Sequence, residues 1–305
     1  MPLSFSLART SFRRLSFRVA LLVSVLVVLL VGYQWHWFDL IRLSWRECRE
    51  TPQARAAGIW LPDYRLALEV SLPGLEEDET SGLTWNPQTN TLFTVTGKHP
   101  QLLELSPEGA VLRRIRLTGF ADPEGVEALG DGRLAMVDER HRLLALFSLP
   151  AAADSFDLKD AQRYDLGFAE AGNKGFEGLG WDARTNRLLL AQERPPALFG
   201  LDVSADAGIV GTPRPLSGDD LPVRDLSSLT VDPRSGHFLL LSDESRLLLE
   251  LDGEGRPFSF MTLLGGLNGL RHSIRQAEGV TMDRAGNLYV IGEPNRFYVF
   301  RRTAP

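Results

Sequence analysis

From residue 64 onward the chain alternates short apolar runs with polar turns. The runs Thr91–Thr96, Arg187–Ala191, His237–Leu241 and Leu288–Ile291 each follow a turn rich in Asn, Asp, Pro or Gly: Asn86–Asn90, Asp182–Asn186, Asp232–Gly236 and Asp283–Asn287. Before each turn stands a variant of one motif, seen in Glu79–Trp85, Gly175–Trp181, Asp225–Val231 and Gln276–Met282, with a further copy in Asp122–Ala128. Aligned on Ser81, Glu124, Glu177, Ser227 and Glu278, successive copies are 43, 53, 50 and 51 residues apart. A repeat of that length marks a propeller or a solenoid. An apolar strand, a turn and a second apolar strand make a β-hairpin, which excludes a solenoid of helices.

Each hairpin is followed by a third apolar run: Gln101–Leu105, Leu143–Phe147, Ala197–Leu201, Leu247–Leu251 and Phe297–Phe300. A fourth, more polar run follows at Val111–Leu117, Arg163–Leu166 and Pro257–Leu263, and weakly near Thr212–Leu216. Four antiparallel strands with a progressively more exposed outer one describe a propeller blade. The last repeat lacks a fourth run, whereas Tyr64–Leu72 precedes the first repeat with the pattern of an outer strand. Pairing it with Phe297–Phe300 would close the ring and remove two open edges. The pattern therefore predicts an all-β, five-bladed β-propeller over residues 63–305, closed by an N-terminal strand.

The N-terminus follows a different pattern. Arg9, Arg13, Arg14 and Arg18 precede an apolar run from Val19 to Gly32, then Tyr33, Trp35, Trp37 and Phe38. The aromatic cluster extends the run toward the ~20 residues of a membrane span and resembles an interfacial belt. Gly32 to Trp35 makes a poor cleavage site, which favours an uncleaved anchor over a cleaved signal peptide. The expected organisation is a basic cytoplasmic segment (1–18), one transmembrane helix (19–38), a juxtamembrane linker (39–62) and a propeller in the periplasm of a bacterial cell. A short amphipathic helix in the linker should end at Thr51-Pro52. The net charge of −6 opposes a sequence-independent nucleic-acid binder. A single cysteine, Cys48, leaves no intrachain disulfide framework and no cysteine-based zinc site.

Candidate chemistry gathers where strands begin and end. In a blade the first strand lines the channel and the second returns beside it, so the start of one and the end of the other share a face. The starts carry Glu124, Glu177 and Glu278; the ends carry Glu139, Glu193 and Glu293. Two sets of carboxylates then converge on one channel mouth, with Asp122, Asp225, Asp138, Asp243 and Glu244 nearby. Like charges raise one another's pKa unless cations neutralise them, and Ca²⁺ suits such loose rings of oxygen ligands. Glu124, Glu177 and Glu278 are the expected metal ligands, with Glu139, Glu193 and Glu293 as outer candidates. Alternatively the acids latch neighbouring blades, Gly relieves crowding at the axis, and Arg140, Arg194, Arg246 and Arg296 pair with them. Ser81 and Ser227, in place of Glu, point to an asymmetric, specialised site. His99 and His141 fall in loops on the acidic face and are the candidate acid/base groups. Lys98, Arg140 and Arg194 are candidate anion-binding groups. His237 is expected on the surface of the opposite face. Neither a His-x-x-His pair nor a Gly-x-Ser-x-Gly elbow occurs.

Taken in order, the anchor with Trp35, His36 and Trp37, the Thr80–Trp85 element, Asp122–Glu127 and Phe176–Leu179 resemble the SdiA-regulated family of bacterial membrane-anchored proteins, over roughly residues 18–301. The resemblance implies a β-propeller at the inner membrane, of unassigned activity. More distantly the chain is similar to phytase-like and lactonase-like propellers, which implies a divalent cation in the channel. Three functions are compatible with these features. One is a membrane-tethered propeller that binds a periplasmic ligand or protein, with Ca²⁺ in the channel mouth. Another is a metal-dependent phosphoester or lactone hydrolase. The third is a scaffold without a small-molecule site.

Overall fold

A computed structural model of the chain describes residues 6–34, 37–167, 175–204, 208–216 and 221–303. It divides into two compact units, Met1–Trp45 and Arg46–Pro305. The first unit is helical, with α1 (Ser6–Gln34) followed by α2 (Trp37–Glu47), whose last residues belong to the second unit. Along α1 the apolar side chains from Val19 to Leu30 are exposed. Among the described residues no helix is long and apolar enough to cross a membrane. Trp35, part of the expected aromatic belt, and His36 lie outside the described residues.

The second unit opens with the end of α2 and with α3 (Pro52–Ala57). The helix expected to stop before Thr51 and Pro52 ends at Glu47, and the same two residues begin the next one. The Thr51 Oγ1 accepts from the Ala54 N–H at 3.2 Å, and Pro52 occupies the first turn, where a missing N–H has no partner to lose.

Strand β1 (Tyr64–Ser71) comes next, and the blades follow. Blade one holds β2 (Thr80–Asn86), β3 (Thr91–Thr96), β4 (Gln101–Leu105) and β5 (Val111–Thr118). Blade two begins with β6 (Pro123–Ala128), β7 (Arg133–Asp138) and β8 (Leu143–Ser148). Its connection then detours: β9 (Ser155–Asp157) adds parallel to β5 of blade one before β10 (Gln162–Asp165) completes blade two. Blade three holds β11 (Phe176–Asp182), β12 (Arg187–Gln192), β13 (Ala197–Val203) and β14 (Ile209–Pro215). Blade four holds β15 (Ser228–Val231), β16 (Phe238–Ser242), β17 (Leu247–Leu251) and β18 (Pro257–Thr262). Blade five holds β19 (Ala277–Met282), β20 (Leu288–Gly292) and β21 (Arg296–Arg302), with β1 as its outer strand. The five blades and their closure are those expected. The outer strand of blade three starts three residues earlier than its weak signal indicated, and β9 was not foreseen.

The apolar core lies between blades rather than within them. Phe93, Val95 and Leu102 of blade one pack with Val126, Leu134 and Met136 of blade two. Val137 and Leu144 of blade two pack with Leu188 and Leu190 of blade three. Leu92 and Leu103 of blade one pack with Ile291 and Phe297 of blade five. The inner strands of the sheets thus bury both faces between neighbouring blades.

The end of the stretch read as a linker, Ile59 to Leu61, packs on blades four and five. Glu250, fully buried in β17, accepts the Ile59 N–H at 2.8 Å and the Trp60 N–H at 2.9 Å. The same carboxylate takes the Ser259 hydroxyl and lies 2.6 Å from His237 Nδ1. His237 is therefore not a surface residue: its side chain is 14% exposed and stacks edge-on against Phe258. A charged residue inside the otherwise apolar Leu247–Leu251 was the available signal, since a buried carboxylate requires partners.

Closure has a measurable consequence. β1 pairs with β21 from Tyr64↔Arg302 to Ser71↔Arg296, and Arg296 forms an ion pair with Glu69. Deleting residues 64–71 would leave β21, with the fully buried Phe297 and Phe300, as an open apolar edge. The expected result is aggregation or a broad, non-cooperative thermal transition. A deletion variant that melts as sharply and as high as the parent would contradict ring closure.

Candidate functional site

The inner strands begin on one face of the ring, and hairpin register brings the ends of the second strands to the same face. Pro123 pairs with Asp138, Phe176 with Gln192 and Ala277 with Gly292. In all three hairpins the register slips at the residue between the paired positions, so Glu124, Glu177 and Glu278 each sit in a β-bulge. A bulge leaves its extra residue outside the ladder and re-aims the side chain.

The glycine after each glutamate has a packing reason. A Cβ on Gly125 would lie 2.2 Å from the Glu177 carbonyl oxygen, and one on Gly279 would lie 2.8 Å from the Gly82 carbonyl carbon. Neighbouring inner strands approach so closely at the axis that no side chain fits between them. The serines that replace glutamate also latch blades. Ser81 Oγ donates to the Glu124 carbonyl at 2.9 Å, and Ser227 Oγ donates to the Ala277 carbonyl at 2.6 Å. A serine hydroxyl can donate to a neighbour's backbone carbonyl, which an ionised carboxylate cannot.

The carboxylates converge. Oxygens of Asp122, Glu124 and Glu139, all half-buried, lie within 4.8 Å of one another. Burial, reinforced by Asp122, Glu139 and Glu293, pushes the Glu124 carboxyl up to about 8. Burial and then Glu278, Glu193, Glu124 and Glu139 push Glu177 to about 10. Glu278 is raised well above the usual carboxylate range by burial and by Glu293, Glu124 and Asp243. Glu293 rises to about 7, by burial and then by Glu79 and Asp243. All three inner glutamates therefore share one electrostatic environment. The compact trio, however, is formed by Glu124 with Asp122 and Glu139, without Glu177 or Glu278. Asp122 was recognised in the repeat but not as a ligand.

Local structure builds the trio. Asp138, fully buried at the end of β7, accepts the Ala121 N–H at 2.6 Å and the His141 N–H at 2.8 Å, and so ties the loop bearing Asp122 to the turn bearing Glu139. The Gly175 N–H donates to Glu139 at 3.1 Å. Gly97 stands where the other blades place an acid. A Cβ there would meet Asp122 Oδ1 at 3.1 Å and Glu124 Oε1 at 3.6 Å, so glycine leaves room beside both oxygens. Three carboxylates form a hard-oxygen donor set that could hold a metal ion.

The basic groups are distributed unevenly. Arg140 donates to Asp122 Oδ2 at 2.9 Å while remaining largely exposed. Arg194 bridges Glu193 (3.1 Å) and Glu244 (2.6 Å), tying blade three to blade four. Arg296 serves Glu69 on the outer strand instead of Glu293. His141 Nδ1 lies 3.3 Å from Asp138, next to the trio. His99 is exposed and pairs with Asp78 at 2.6 Å, and Lys98 is exposed beside it.

Comparison with known proteins places this geometry on a common scaffold. A gluconolactonase of Xanthomonas campestris is similar at 15% identity and a TM-score of 0.51, over 82% of this chain and 93% of that one. An auxiliary nutrient binding protein of Bacteroides thetaiotaomicron matches at 12% identity and a TM-score of 0.47, over 78% and 76%. A virginiamycin B lyase of Staphylococcus aureus matches at 11% and 0.43, over 79% and 75%. At such identities the gluconolactonase likeness establishes the fold and no activity. The sequence itself is more specific: residues 56–301 match the family described as SdiA-regulated, and the chain belongs to that family.

Proposed function

We propose that the protein is a membrane-tethered propeller, facing the periplasm, that binds a ligand or protein partner through a Ca²⁺-dependent acidic channel mouth. The observation that carries this reading is the trio of Asp122, Glu124 and Glu139, whose oxygens lie within 4.8 Å of one another. Like charges so placed are unfavourable without protons or a cation, and a hard divalent ion answers that need with oxygen ligands. Glu177, Glu278 and Glu293 would strengthen the field without joining the trio. Tethering is supported by the exposed apolar side chains from Val19 to Leu30 and by the arginines that precede them.

Two measurements test the proposal on the full chain in detergent. After extensive dialysis, elemental analysis should find Ca²⁺ retained in stoichiometric amount, and its absence at millimolar supply would remove the metal. A periplasm-dependent reporter fused to the C-terminus should be active in the membrane fraction. Neutral replacement of Arg13, Arg14 and Arg18 should weaken that activity; a reporter active only in the cytosol would remove the tether.

A hydrolase is the second reading, favoured by His141. Held by the buried Asp138 and adjoining the trio, it is placed to move a proton, while Arg140 could orient an anionic group. The gluconolactonase supplies a precedent for lactone substrates on this fold. Ca²⁺-dependent turnover of simple lactones or phosphoesters, lost in His141→Ala, would establish it over binding alone.

A further inference from the structure

Helix α2 (Trp37–Glu47) has two unlike sides. Phe38, Ile41 and Trp45 fall at i, i+3 and i+7, a spacing that places them on one side of a helix. They are 50%, 65% and 56% exposed, respectively. Leu43, on the other side, is buried. Glu47, also on that side, is held by blade four, where its carboxylate accepts the Phe260 N–H at 2.7 Å. A helix on a water-facing surface keeps its large apolar residues inward, and here three of them form an outward row. Single exposed apolar residues are ordinary, whereas a contiguous row marks a contact surface. Among the described residues from Arg46 onward, the large apolar side chains exposed in this way are Leu112, Val210, Leu264 and Leu267. None of those is aromatic, and they are divided between two outer strands and one loop.

The chain itself indicates what covers the row. Gln34, the end of α1, and Trp37 are three residues apart, so at most ~11 Å of chain separates the two helices. The exposed apolar run of α1, Val19 to Leu30, falls short of the ~20 residues of a full span. A membrane that takes up this run therefore lies within reach of the start of α2, and further membrane contact from α2 supplements a short anchor. Aromatic side chains such as Phe38 and Trp45 suit the headgroup level, where a bilayer is part apolar and part wet.

Charge selects among membranes. Arg42, exposed and one turn beyond Phe38, stands beside the row, with Arg46 a further turn along. Asp39 and Glu47 lie farther round the helix. A basic edge beside an apolar, aromatic side is the pattern of a helix that lies in the interface of an anionic bilayer. We infer that α2 lies along the membrane surface, with Phe38, Ile41 and Trp45 among the lipid headgroups and Arg42 and Arg46 on anionic lipid phosphates. This seating rests on the tether proposed above and adds to it a second, lipid-selective contact.

The test uses the full chain with its single, exposed cysteine removed (Cys48→Ser) and one fluorophore-bearing cysteine introduced. The protein is reconstituted into vesicles of phosphatidylcholine, with or without phosphatidylglycerol. With Ile41→Cys, a lipid carrying a quencher near its headgroup should quench the label, iodide in the water should not, and phosphatidylglycerol should strengthen the effect. With Ser44→Cys, at an exposed position outside the row, the label should stay open to iodide. With Val25→Cys, in α1, quenching from deep in the bilayer reports the tether separately. Arg42→Gln should lower the ratio of seated to unseated Ile41 label about fivefold in anionic vesicles, the effect of one basic charge at the surface. The inference is overturned if the Ile41 label stays open to iodide while the Val25 label is quenched, or if Arg42→Gln matches the parent. It is overturned equally if the Ile41 label is shielded from iodide and lipid alike, which would assign the row to a protein contact. Quenching at Ile41 without quenching at Val25 would leave the helix seated and remove the tether instead.

Discussion

Glu124→Gln will abolish most of the thermal stabilisation that Ca²⁺ confers, while leaving the metal-free protein as stable as the parent or more so. Ligand bound only to the folded state stabilises by mass action, roughly 2.7 kcal/mol at a hundredfold excess over Kd. For a domain of this size that corresponds to a rise of about 5–10 °C. Glu124 belongs to the compact trio, and burial, reinforced by its neighbours' charge, pushes its carboxyl up to about 8. Without metal it is a liability, and an amide of the same shape removes the charge.

The dependence on pH follows from the same groups. In the folded state Glu293 titrates near 7, Glu124 near 8 and Glu177 near 10. Unfolded glutamates titrate near ~4.3. Between those values the folded chain holds protons that the unfolded chain has lost, so stability falls as pH rises. The contribution of these acids is fully present below pH ~4.3 and is lost as pH climbs through 7 to 8 and beyond. Metal-free protein should therefore melt progressively lower from pH 5 to pH 8. Because Ca²⁺ replaces protons, its stabilisation should be larger at pH 8 than at pH 6, and the slope should be shallower in Glu124→Gln. Melting curves in Ca²⁺, Mg²⁺ and chelator that superimpose at both pH values would sink the metal site and the hydrolase built on it.

Gly125→Ala will destabilise the propeller by several kcal/mol, the upper end of overpacking effects. The new Cβ would fall 2.2 Å from the Glu177 carbonyl oxygen, which is backbone and cannot swing aside. Blades two and three would have to separate at the axis, where their inner strands are latched through Glu127 and Trp181. Gly253→Ala is the control, because its Cβ would meet only the Gly236 carbonyl oxygen, at 3.7 Å. Denaturant melts of both variants check the pair. Gly125→Ala within about 0.5 kcal/mol of the parent, the usual limit for an uninvolved surface site, would mean that the glycine serves another purpose. Since the same crowding aims Glu124 and Glu177 into the mouth, Gly125→Ala should weaken the Ca²⁺ effect as well.

The sequence by itself determined the hairpins, the five repeats, the closing strand and the shared face of Glu124 with Glu139, Glu177 with Glu193, and Glu278 with Glu293. All of these depend on contacts within one hairpin or on a repeat visible in the chain, and alternation of apolar and polar residues encodes them directly. It also carried the crowding at the axis, through the glycine after each glutamate. What faces what between blades was decided only in three dimensions. Ser81 and Glu124, Thr84 and Ala128, and Glu127 and Trp181 meet across 43, 44 and 54 residues. His237 and the linker residues Ile59 and Trp60 meet at Glu250, the latter two across 191 and 190 residues. Whether Arg194 or Arg296 faces the mouth and whether Asp122 or Glu177 completes the trio depend on bulges and strand twist. A bulge turns a side chain by shifting one residue in the ladder, and the alternation of apolar positions is too coarse to register that shift.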